Sequence, residues 1–499
     1  MIGSGRFLIT NGSRFFSTSC SVLKNSNAFQ ISGSISKLLH KYNIDVLESD
    51  FQKDIKQPLL ENLRHRGLIE TCVNEEELSK KIESSKLGLY CGADPTAKSL
   101  HLGNLLPLMI LLHFNLRNHN IVALVGGATG AVGDPSGRTT ERDHMEENIR
   151  DNNVKRIGEQ MLNFFKNGLI YAESRNPNYD LNKFGNQQFV NNFDWWKRIG
   201  MLEFLSKYGK FIRINQMLAR DSIKSRLSSD KGLGFNEFSY QILQAYDFYH
   251  LNKHLDVDVQ VGGNDQYGNI VAGIDLINRL NKKKSSYGIT VPLLTTSNGV
   301  KFGKSAGNAI FIDKELSAPF IIYQFMFNTS DEDVKKFMYK FSLLPISVID
   351  KILDKHNLDK KMRIGQRFLA WEMCDLIHGD GEGYSCNILS ELLYNKESDF
   401  STNEILNAFR TQNMLHTMSL RELDSSTIGD VLSKCLIDLH SRSDIKKLIK
   451  SGAVSYNIGG GKVIKFKSFT DELNPSVHLR DNKLLLVKIG KSYHAIEVV

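Results

Sequence analysis

The stretch KLGLYCG, residues 86–92, is the starting point for predicting the fold, because its apolar run ends at a glycine. Such a run is typical of a short buried strand. The next segment, DPTAKS at residues 94–99, has turn-forming residues, and residues 100–114 are apolar over the length of a helix. A second apolar run follows at residues 121–125. Strand, helix and strand in this order predict a βαβ unit and hence a parallel sheet.

The second half of this predicted domain repeats the order of strand, glycine and helix. Its segments are a strand over 255–261 followed by two glycines, a helix over 268–280 and a strand over 289–295. Residues 140–230 are polar and helical in pattern, so we interpret them as an insertion between the two halves. The sequence therefore predicts an α/β domain with a parallel sheet over residues 45–315.

Two further domains are expected after the sheet domain. Residues 316–424 have helical periodicity and few glycines, which predicts a separate helical domain. Residues 425–499 contain twelve Lys and Arg against seven Asp and Glu, and they end in predicted strands over 483–489 and 494–499. A small α+β module with this excess of positive charge suits an anionic partner.

The first 44 residues have the composition of a mitochondrial transit peptide. They are rich in serine and contain no Asp or Glu, because the first acidic residue is Asp45. Their basic residues are Arg6, Arg14, Lys24, Lys37 and Lys41. No apolar core of sufficient length follows Arg6, which disfavours a secretory signal. We predict a transit peptide and leader over 1–44, with an unstructured basic tail as the alternative.

The overall composition excludes several classes of protein. The chain has 499 residues, 41% of them hydrophobic and 24% charged, with a net charge of +8, which is typical of a globular protein of several domains. Its six cysteines form no CxxC pair, which disfavours a disulfide framework and a zinc site built on thiols. The uncharged stretch 99–116 contains two His and two Asn and is too polar for a membrane span. We expect neither a protein-bound metal nor a membrane partner.

The segment KFGKS, residues 301–305, is only superficially similar to a phosphate-binding P-loop. That loop reads GxxxxGK[ST], and the position of its first glycine is occupied by Asn298. The GxGxxG fingerprint of dinucleotide-binding folds is also missing from the glycine-rich loop at 126–137. The sequence therefore predicts an α/β nucleotide-binding fold that holds phosphates by other means.

The start of the predicted helix 100–114 is the alternative phosphate site. His101, Gly103 and Asn104 lie on its predicted first turn. A helix N-terminus offers N–H groups and a partial positive charge, both of which favour a polyphosphate. On these residues alone, a histidine that merely caps the helix is the competing explanation.

Taken together, the motifs resemble those of class I aminoacyl-tRNA synthetases, whose two signatures are similar to HLGN at 101–104 and KFGKS at 301–305. Longer motifs resemble the tyrosyl-tRNA synthetases of bacterial type and occur in that family's order. They are YCGADPTA at 90–97, LVGGATG at 124–130, GDPSG at 133–137, EFSY at 237–240, QAYD at 244–247 and QVGGNDQYGN at 260–269. The resemblance spans about residues 55–499, and the leader adds a similarity to mitochondrial members.

The departures from the family's pattern are small. Asn104 stands where the family often has His, Tyr267 where bacterial members usually have Trp, and Ser305 where Thr is common. None of these changes removes a group that the chemistry needs, because an asparagine amide can still donate to a phosphate.

The resemblance implies a fold, an assembly and a location. It implies a Rossmann-like catalytic domain with a helical insertion, then an α-helical tRNA-binding domain and an S4-like RNA-binding domain. Family members of this type are homodimers whose tRNA spans both subunits. With the leader, the implied location is the mitochondrial matrix, and the implied partners are tRNA(Tyr), L-tyrosine and ATP with Mg²⁺ bound through the phosphates.

The implied reaction has two steps: tyrosine and ATP form tyrosyl-adenylate, and the tRNA then takes the tyrosyl group. The residues implied to act on the polyphosphate are Thr96, His101, Asn104, Lys301 and Lys304, with Arg138 and Arg142 nearby. Further residues implied to line the ATP site are Cys91, Gly92, Asp94, Gly103, Gly263 and Asp265.

The resemblance also implies a tyrosine pocket and an RNA-binding helix. Tyr90 and Asp247 would hydrogen-bond the phenol. The α-ammonium would be held by Asp134, Tyr240 and Gln244, and Gln266 would lie near the carboxylate. The basic residues implied to contact RNA are Lys446, Lys447 and Lys450.

Two alternatives remain open on the sequence. One is a tryptophanyl-tRNA synthetase, whose core is similar, although the pair Tyr90 and Asp247 and the S4-like region favour tyrosine. The other is a synthetase with an additional role in binding intron RNA, as in some fungal mitochondrial relatives. ATP–pyrophosphate exchange with all twenty amino acids distinguishes the first alternative from tyrosine.

Overall fold

The computed structural model describes residues 33–136, 145–180, 182–220, 223–224, 227, 232–281, 285–299, 302–305, 308–394, 400–424, 426–437, 440–457, 463–490 and 492–499. Most of the predicted leader lies outside these residues. In the described part of the chain, no helix is both long enough and apolar enough to cross a membrane.

A six-stranded sheet forms the centre of the first domain. Its strands are β1 Thr71–Val73, β2 Gly88–Ala93, β3 Asn120–Val125, β4 Gln187–Asn191, β5 Val259–Gly263 and β6 Tyr287–Val291. Their order in the sheet is β1-β6-β5-β2-β3-β4. All neighbours are parallel except β1, which is antiparallel to β6. The predicted parallel sheet is therefore confirmed, and β2 lies in its interior between β5 and β3.

Helices surround this sheet and form the domain that follows it. Those of the first domain are α1 Ile35–Lys41, α2 Glu48–Lys56, α3 Leu59–His65, α4 Glu75–Ser84, α5 Leu105–Asn115, α6 Thr129–Val132, α7 Glu147–Arg175, α8 Phe193–Trp196, α9 Met201–Lys207, α10 Ile214–Leu218, α11 Phe235–Leu255 and α12 Tyr267–Leu280. Those of the second are α13 Pro319–Phe327, α14 Asp331–Phe341, α15 Ile346–Leu358, α16 Ile364–His378, α17 Glu382–Tyr394 and α18 Thr402–Thr411.

The two faces of the sheet are covered by different helices. On one face, alternate strand residues such as Leu89 and Cys91 share a core with α5 and α7. On the other face, Tyr90 and Val122 share a core with α11 and α12. Because side chains of a strand alternate between faces, Tyr90 is directed towards α11 while its neighbour Cys91 is directed towards α5.

The predicted insertion at 140–230 is only partly an insertion. Helix α7 packs against β3 and β4, and β4 pairs with β3 in parallel, so both belong to the sheet layer. The buried face of α7 includes Val154, Ile157, Met161 and Phe165, spaced three or four residues apart on a helix that is otherwise polar. The sequence QQFVN of β4 is equally mixed, which is typical of an edge strand. Polar composition concealed both elements.

Two other predicted boundaries differ from the structure. Residues at the end of the predicted leader form α1, in which Ile35, Leu38 and Leu39 are buried. Within the segment read as helical before β2, residues Thr71–Val73 form β1 instead. Both segments are too short for their periodicity to be recognised, and they gain their structure from tertiary contacts.

The C-terminal domain is built on a second sheet, whose strands follow the short hairpin β7 Lys304–Ser305 and β8 Asn308–Ala309. The strands are β9 Leu415–Met418, β10 Val454–Asn457, β11 Val463–Lys465, β12 Leu484–Ile489 and β13 Ser492–Val498. Their order is β11-β10-β12-β13-β9, and β9 is parallel to β13. The sheet therefore includes residues from before the predicted boundary at 425. Its helices are α19 Leu420–Asp424, α20 Ile428–Cys435, α21 Arg442–Lys450 and α22 Pro475–His478.

The second sheet is packed on both faces. One face shares a core with α20 and α21, and residues of this core include Ile445 and Val487. The other face packs on the helical domain, where Leu486 and Tyr493 join Ile388 and Phe409 in one cluster. The basic C-terminal domain is consequently docked on the helical domain through an apolar contact.

A buried ion cluster joins the sheet domain, the helical domain and α1. Arg175 at the end of α7 is fully buried and forms ion pairs of 2.7 Å with Glu372 and 2.5 Å with Asp375. The indole of Trp371 donates to Ser34 Oγ at 3.1 Å, and this hydroxyl donates to Asp375 at 3.2 Å. Burial raises the pKa of Asp375 to about 7 in spite of the guanidinium beside it.

Replacement of Arg175 tests the importance of this cluster. Arg175→Met leaves two buried carboxylates without their cation, so we expect the free energy of unfolding to fall by about 3–5 kcal/mol, measured by urea denaturation. The control is Lys207→Met, which removes an exposed partner of Glu203 and is expected to leave the transition unchanged. Equal transitions for both variants would show that the cluster adds nothing to stability.

Candidate functional site

The predicted site residues converge at the carboxyl ends of β2, β3 and β5. Asp94 follows β2, the loop from Gly126 follows β3, and Asp265 follows β5. In parallel α/β sheets this edge is where ligands bind. The loop requires glycine at position 126, because a Cβ there would lie 2.3 Å from Asp94 Oδ1.

At the base of the site, Tyr90 and Asp247 are both buried. The Tyr90 hydroxyl has no hydrogen-bond partner among the described residues. Burial and the nearby charge of Asp247 raise the pKa of Tyr90 well above its usual value, so it remains a protonated donor. A buried hydroxyl without a partner is energetically unfavourable, and a ligand that supplies an acceptor relieves this cost.

Asp247 is held by three donors from the chain segment after β4. Its Oδ1 accepts from the indole nitrogens of Trp195 and Trp196, each at 2.7 Å. Its Oδ2 accepts from Asn192 Nδ2 at 3.0 Å. Burial nevertheless raises the pKa of Asp247 to about 7, with the charge of Asp94 acting in the same direction and the three donors opposing.

Above this base lies a second polar network. Gln266 donates to Asp134 Oδ2 at 2.8 Å, and Asn269 donates to the side-chain oxygens of both Gln266 and Gln244 at 3.1 and 3.0 Å. These carboxylate and amide oxygens can accept hydrogen bonds from an ammonium group. The network therefore brings together three of the residues predicted to bind the α-amino acid end.

Tyr240 connects the second network to the base. Its hydroxyl donates to Asp94 Oδ2 at 2.9 Å, and Thr129 donates to the other oxygen of Asp94 at 3.0 Å. Burial and the charges of Asp94, Asp134 and Asp247 raise the pKa of Tyr240 well above its usual value. Three carboxylates thus lie around one buried phenol, which makes the site attractive to a cation.

The two signature segments contact one another. Gly303 has a φ of +85°, and a Cβ at this position would lie 3.1 Å from Gly103 N and 3.2 Å from Leu102 Cβ. Backbone hydrogen bonds reinforce the contact, from Leu102 N to Ile310 O at 3.1 Å and from Ile310 N to Gly303 O at 2.8 Å. Glycine is therefore required at 303 both for its backbone conformation and for this close approach.

The structure corrects the predicted position of His101. It lies before a 3₁₀ turn, Leu102–Asn104, and α5 begins only at Leu105. His101 Nδ1 accepts from Gly103 N at 3.1 Å, and Asn104 Oδ1 accepts from His101 N at 3.0 Å. A ring nitrogen that accepts this bond must be unprotonated in the neutral ring, so Nε2 carries the proton and is the donor.

The remaining predicted residues differ in how they are placed. Thr96 donates its backbone N–H to Asp94 O at 2.8 Å, and a Cβ at Gly263 would lie 2.4 Å from Asp265 Oδ1. Gly92 lies on β2 above Leu124, at the same edge. Cys91 is buried in the core on the α5 side of the sheet, and burial raises the pKa of its thiol to about 12.

Some predicted residues lie outside the described part of the chain or away from the site. Lys301, Arg138 and Arg142 are not among the described residues, and only the backbone of Lys304 is described, in β7. Within the described ranges, no group of three or more His, Cys, Asp or Glu is arranged to hold a metal ion. The predicted RNA-binding residues form an exposed face of α21 in the C-terminal domain: Lys446, Lys447 and Lys450.

Sequence reasoning missed the residues that hold Asp247. Asn192, Trp195 and Trp196 were assigned to the insertion, but they begin directly after β4 at the same edge of the sheet. Asn269, which connects Gln244 with Gln266, was also missed. The signal for the first group was a strand followed by a polar and aromatic cluster, and it is recognisable only once β4 is identified.

Comparisons with known proteins agree with this arrangement. A sequence model of the class I tRNA synthetases (W and Y) matches residues 83–384. The mitochondrial tyrosine–tRNA ligase of Saccharomyces cerevisiae is 46% identical over 439 residues, which is 87% of each chain. Tyrosine–tRNA ligase 2 of Bacillus cereus is 37% identical over 445 residues, covering 88% of this chain and 99% of the relative.

A solved structure is similar as well. The C-terminally truncated mitochondrial tyrosyl-tRNA synthetase of Aspergillus nidulans has a TM-score of 0.62 and 32% identity, covering 72% of this chain and 99% of that one. The similarity includes the order of the elements that carry the site.

Asp247→Ala tests the base of the site. Loss of the carboxylate removes the acceptor for a phenol hydroxyl but no contact with a plain phenyl ring. We expect kcat/KM for tyrosine in ATP–pyrophosphate exchange to fall by about 10³-fold or more, and that for phenylalanine by less than about tenfold. Asp194→Ala, on the exposed side of α8, is the control and is expected to leave both values unchanged. Equal losses for both amino acids would contradict the assignment.

Proposed function

The chain belongs to the tyrosine–tRNA ligases, a family of class I tRNA synthetases, and on this premise we propose how its residues divide the work of charging tRNA(Tyr). The enzyme activates tyrosine with ATP, releases pyrophosphate and transfers the tyrosyl group to the tRNA. The main prediction from the sequence is confirmed by the relatives, all of which are tyrosine–tRNA ligases among those compared over most of the chain.

Recognition of tyrosine is the step that the geometry supports best. The single observation that carries it is the buried Tyr90 hydroxyl without a partner, opposite the carboxylate of Asp247. The substrate phenol would accept from Tyr90 and donate to Asp247, so both buried groups become satisfied. Phenylalanine leaves both unsatisfied, and such a site discriminates by roughly 10⁴–10⁵ without editing.

The amino-acid end of tyrosine would lie at the second polar network. Asp134, Tyr240 and Gln244 would hold the α-ammonium, since they present oxygen atoms and the carboxylates favour a cation. Gln266 would lie near the substrate carboxylate. This orientation leaves the carboxylate pointing towards the signature segments, where ATP would be bound.

Adenylate formation is an attack by the tyrosine carboxylate on the α-phosphate of ATP. The carboxylate is already ionised, so the site has to position the reactants and stabilise charge on the phosphates rather than remove a proton. His101 Nε2, the Asn104 amide and Thr96 are the donors proposed for the polyphosphate. Mg²⁺ would enter with ATP, bound through phosphate oxygens.

The second signature would stabilise the leaving pyrophosphate. Gly303 packs on the backbone of Gly103, so the segment that contains Lys301 and Lys304 is anchored beside the first signature. Cations acting on a leaving group lower the barrier without strengthening tyrosine binding. Arg138 and Arg142 are proposed to assist. For ribose and adenine, Asp265, Gly263, Gly92, Cys91, Asp94 and Gly103 remain the proposed contacts.

A homodimer is proposed from an exposed apolar surface in the segment before α11. Leu202 and Phe235 expose 83% and 74% of their surface, and Met201, Leu205 and Ile214 are also exposed. Monomeric proteins rarely expose so many large apolar residues in one segment, so the surface suits a second copy of the chain. Sedimentation equilibrium of the full chain tests this proposal.

The RNA-binding face of α21 provides a test that separates the two half-reactions. Because the C-terminal sheet is docked on the helical domain, we choose substitutions over truncation. In the triple variant Lys446→Ala, Lys447→Ala and Lys450→Ala, we expect tRNA charging at physiological salt to fall by about 10–100-fold. The logarithmic salt slope should shrink by up to about 3, one unit for each phosphate contact.

Tyrosine-dependent ATP–pyrophosphate exchange by the same variant should stay within about twofold of the parent, since none of the groups proposed for it lies on α21. A matched triple alanine variant at the exposed residues Lys53, Lys56 and Lys80 controls for net charge. If both triples reduce charging equally, the face of α21 is not a specific RNA contact.

The enzyme is mitochondrial, and we propose the matrix as its compartment and residues 1–32 as the targeting segment. Residues from 33 onward belong to the folded protein, because α1 is packed in the core. A fusion of residues 1–32 to a cytosolic reporter is expected to be protease-protected inside mitochondria, owing to its basic and acid-free composition. The same fusion with Arg6→Glu and Arg14→Glu should remain cytosolic. Import of neither fusion would contradict the proposal. A second role in binding intron RNA stays a hypothesis.

A further inference from the structure

The carboxylate of Asp247 receives two indole N–H groups on the same oxygen. Trp195 and Trp196 are consecutive residues of α8, and each places its Nε1 at 2.7 Å from Oδ1. Their rings are held in different ways. Trp195 is stacked on His250 with ring centroids 4.4 Å apart, whereas Trp196 packs on Tyr246 at 5.0 Å.

We propose that Trp196 is a positioning residue that determines specificity for tyrosine, because its indole N–H keeps Asp247 in the form and orientation that accept a phenol hydroxyl. The proposal rests on the role proposed above for Asp247. It adds a residue that does not contact the reacting atoms and that the sequence analysis did not assign to the site.

The first argument is geometric. An ionised carboxylate offers about four acceptor directions, and three of these are used by Trp195, Trp196 and Asn192. With three of them occupied by fixed donors, the carboxylate is prevented from rotating, and one direction remains for the substrate. Loss of one indole donor frees a second direction, so the carboxylate no longer presents a unique acceptor to the phenol.

The second argument is electrostatic, and it depends on every charged or titratable group around Asp247. Asp94 at the end of β2 opposes ionisation, while Tyr90 on β2 and Tyr240 and Tyr246 on α11 are neutral phenols whose own pKa values are raised by the charge of Asp247. His250, stacked on Trp195, is neutral because burial lowers its pKa to about 4.

No cation is therefore recorded as stabilising the carboxylate, and the interactions that favour its ionised form are the three hydrogen bonds. The net pKa near 7 shows that burial and hydrogen bonding are closely balanced. Removing one donor must shift this balance towards the protonated acid. A protonated carboxyl can itself donate, so it no longer demands a hydroxyl from the substrate, and discrimination against phenylalanine declines.

The packing of Trp196 gives the inference a built-in control. Its ring also contacts Phe204 of α9, with centroids 5.4 Å apart, and Phe204 is buried among Tyr246 and Tyr208. Phe204 supports the same cluster but offers no hydrogen bond. A variant at Phe204 therefore disturbs the packing around Trp196 without removing the donor.

The experiment compares Trp196→Phe, Phe204→Leu and the parent in ATP–pyrophosphate exchange between pH 6 and 9. For Trp196→Phe we expect kcat/KM for tyrosine at pH 7 to fall by about 10–100-fold, the effect of losing a hydrogen bond to a charged group. The loss should lie in KM more than in kcat. The acidic limb of the profile should move to higher pH, and kcat/KM for phenylalanine should change by less than about threefold.

If Trp196→Phe does not fold, the same measurement is made with 3-benzothienylalanine at position 196, which keeps the shape of the indole and replaces its N–H by sulfur. A profile that is not displaced in this variant overturns the inference. So does an equal displacement in Phe204→Leu, since packing alone would then explain the effect.

Asp247→Ala separates this inference from the proposed site. A tyrosine-specific loss in Asp247→Ala together with a normal profile for Trp196→Phe rejects only the role of Trp196. Equal losses for tyrosine and phenylalanine in Asp247→Ala reject the phenol site itself, and the role of Trp196 with it.

Discussion

The position of every group in the site depends on the pairing of β2 with β3 on one side and β5 on the other. Because Tyr90 is in register with Val122 and Gln260, its ring is fixed on one face of the sheet. The same pairing brings Asp94 beside the loop after β3 and directs both towards α11. A shift of one residue would turn Tyr90 to the opposite face, among the apolar side chains that surround Cys91.

The buried polar groups make the site rigid as well as selective. Asp94 accepts from Tyr240 and Thr129, and Asp247 from Asn192 and two tryptophans, so each carboxylate is oriented by fixed donors. Groups oriented in this way do not need to reorganise when the substrate enters, which is the main source of electrostatic catalysis. The unfilled position is the Tyr90 hydroxyl, whose acceptor must come from outside the protein.

Prediction from the sequence succeeded where a motif and a strongly apolar element coincide. Strands β2 and β3 and helix α5 are almost wholly buried, so their apolar runs identify them without any tertiary information. β4 and α7 were hidden because an edge strand and a half-exposed helix carry many polar residues. The donors to Asp247 follow β4 directly, and they were missed for the same reason. The contact of Gly303 with Gly103 joins residues two hundred positions apart, which no local pattern reports.

The docking of α1 has a consequence for the order in which the chain can fold. Ser34 contacts Asp375, its partner 341 residues later in the chain. Whether the polypeptide emerges from a ribosome or through a membrane pore, its first helix is exposed long before the surface that buries it exists. Seven residues are too few to form a stable helix alone, so this segment stays an extended chain during that interval. Closure of the N-terminus is therefore a late event of assembly, coupled to completion of the helical domain.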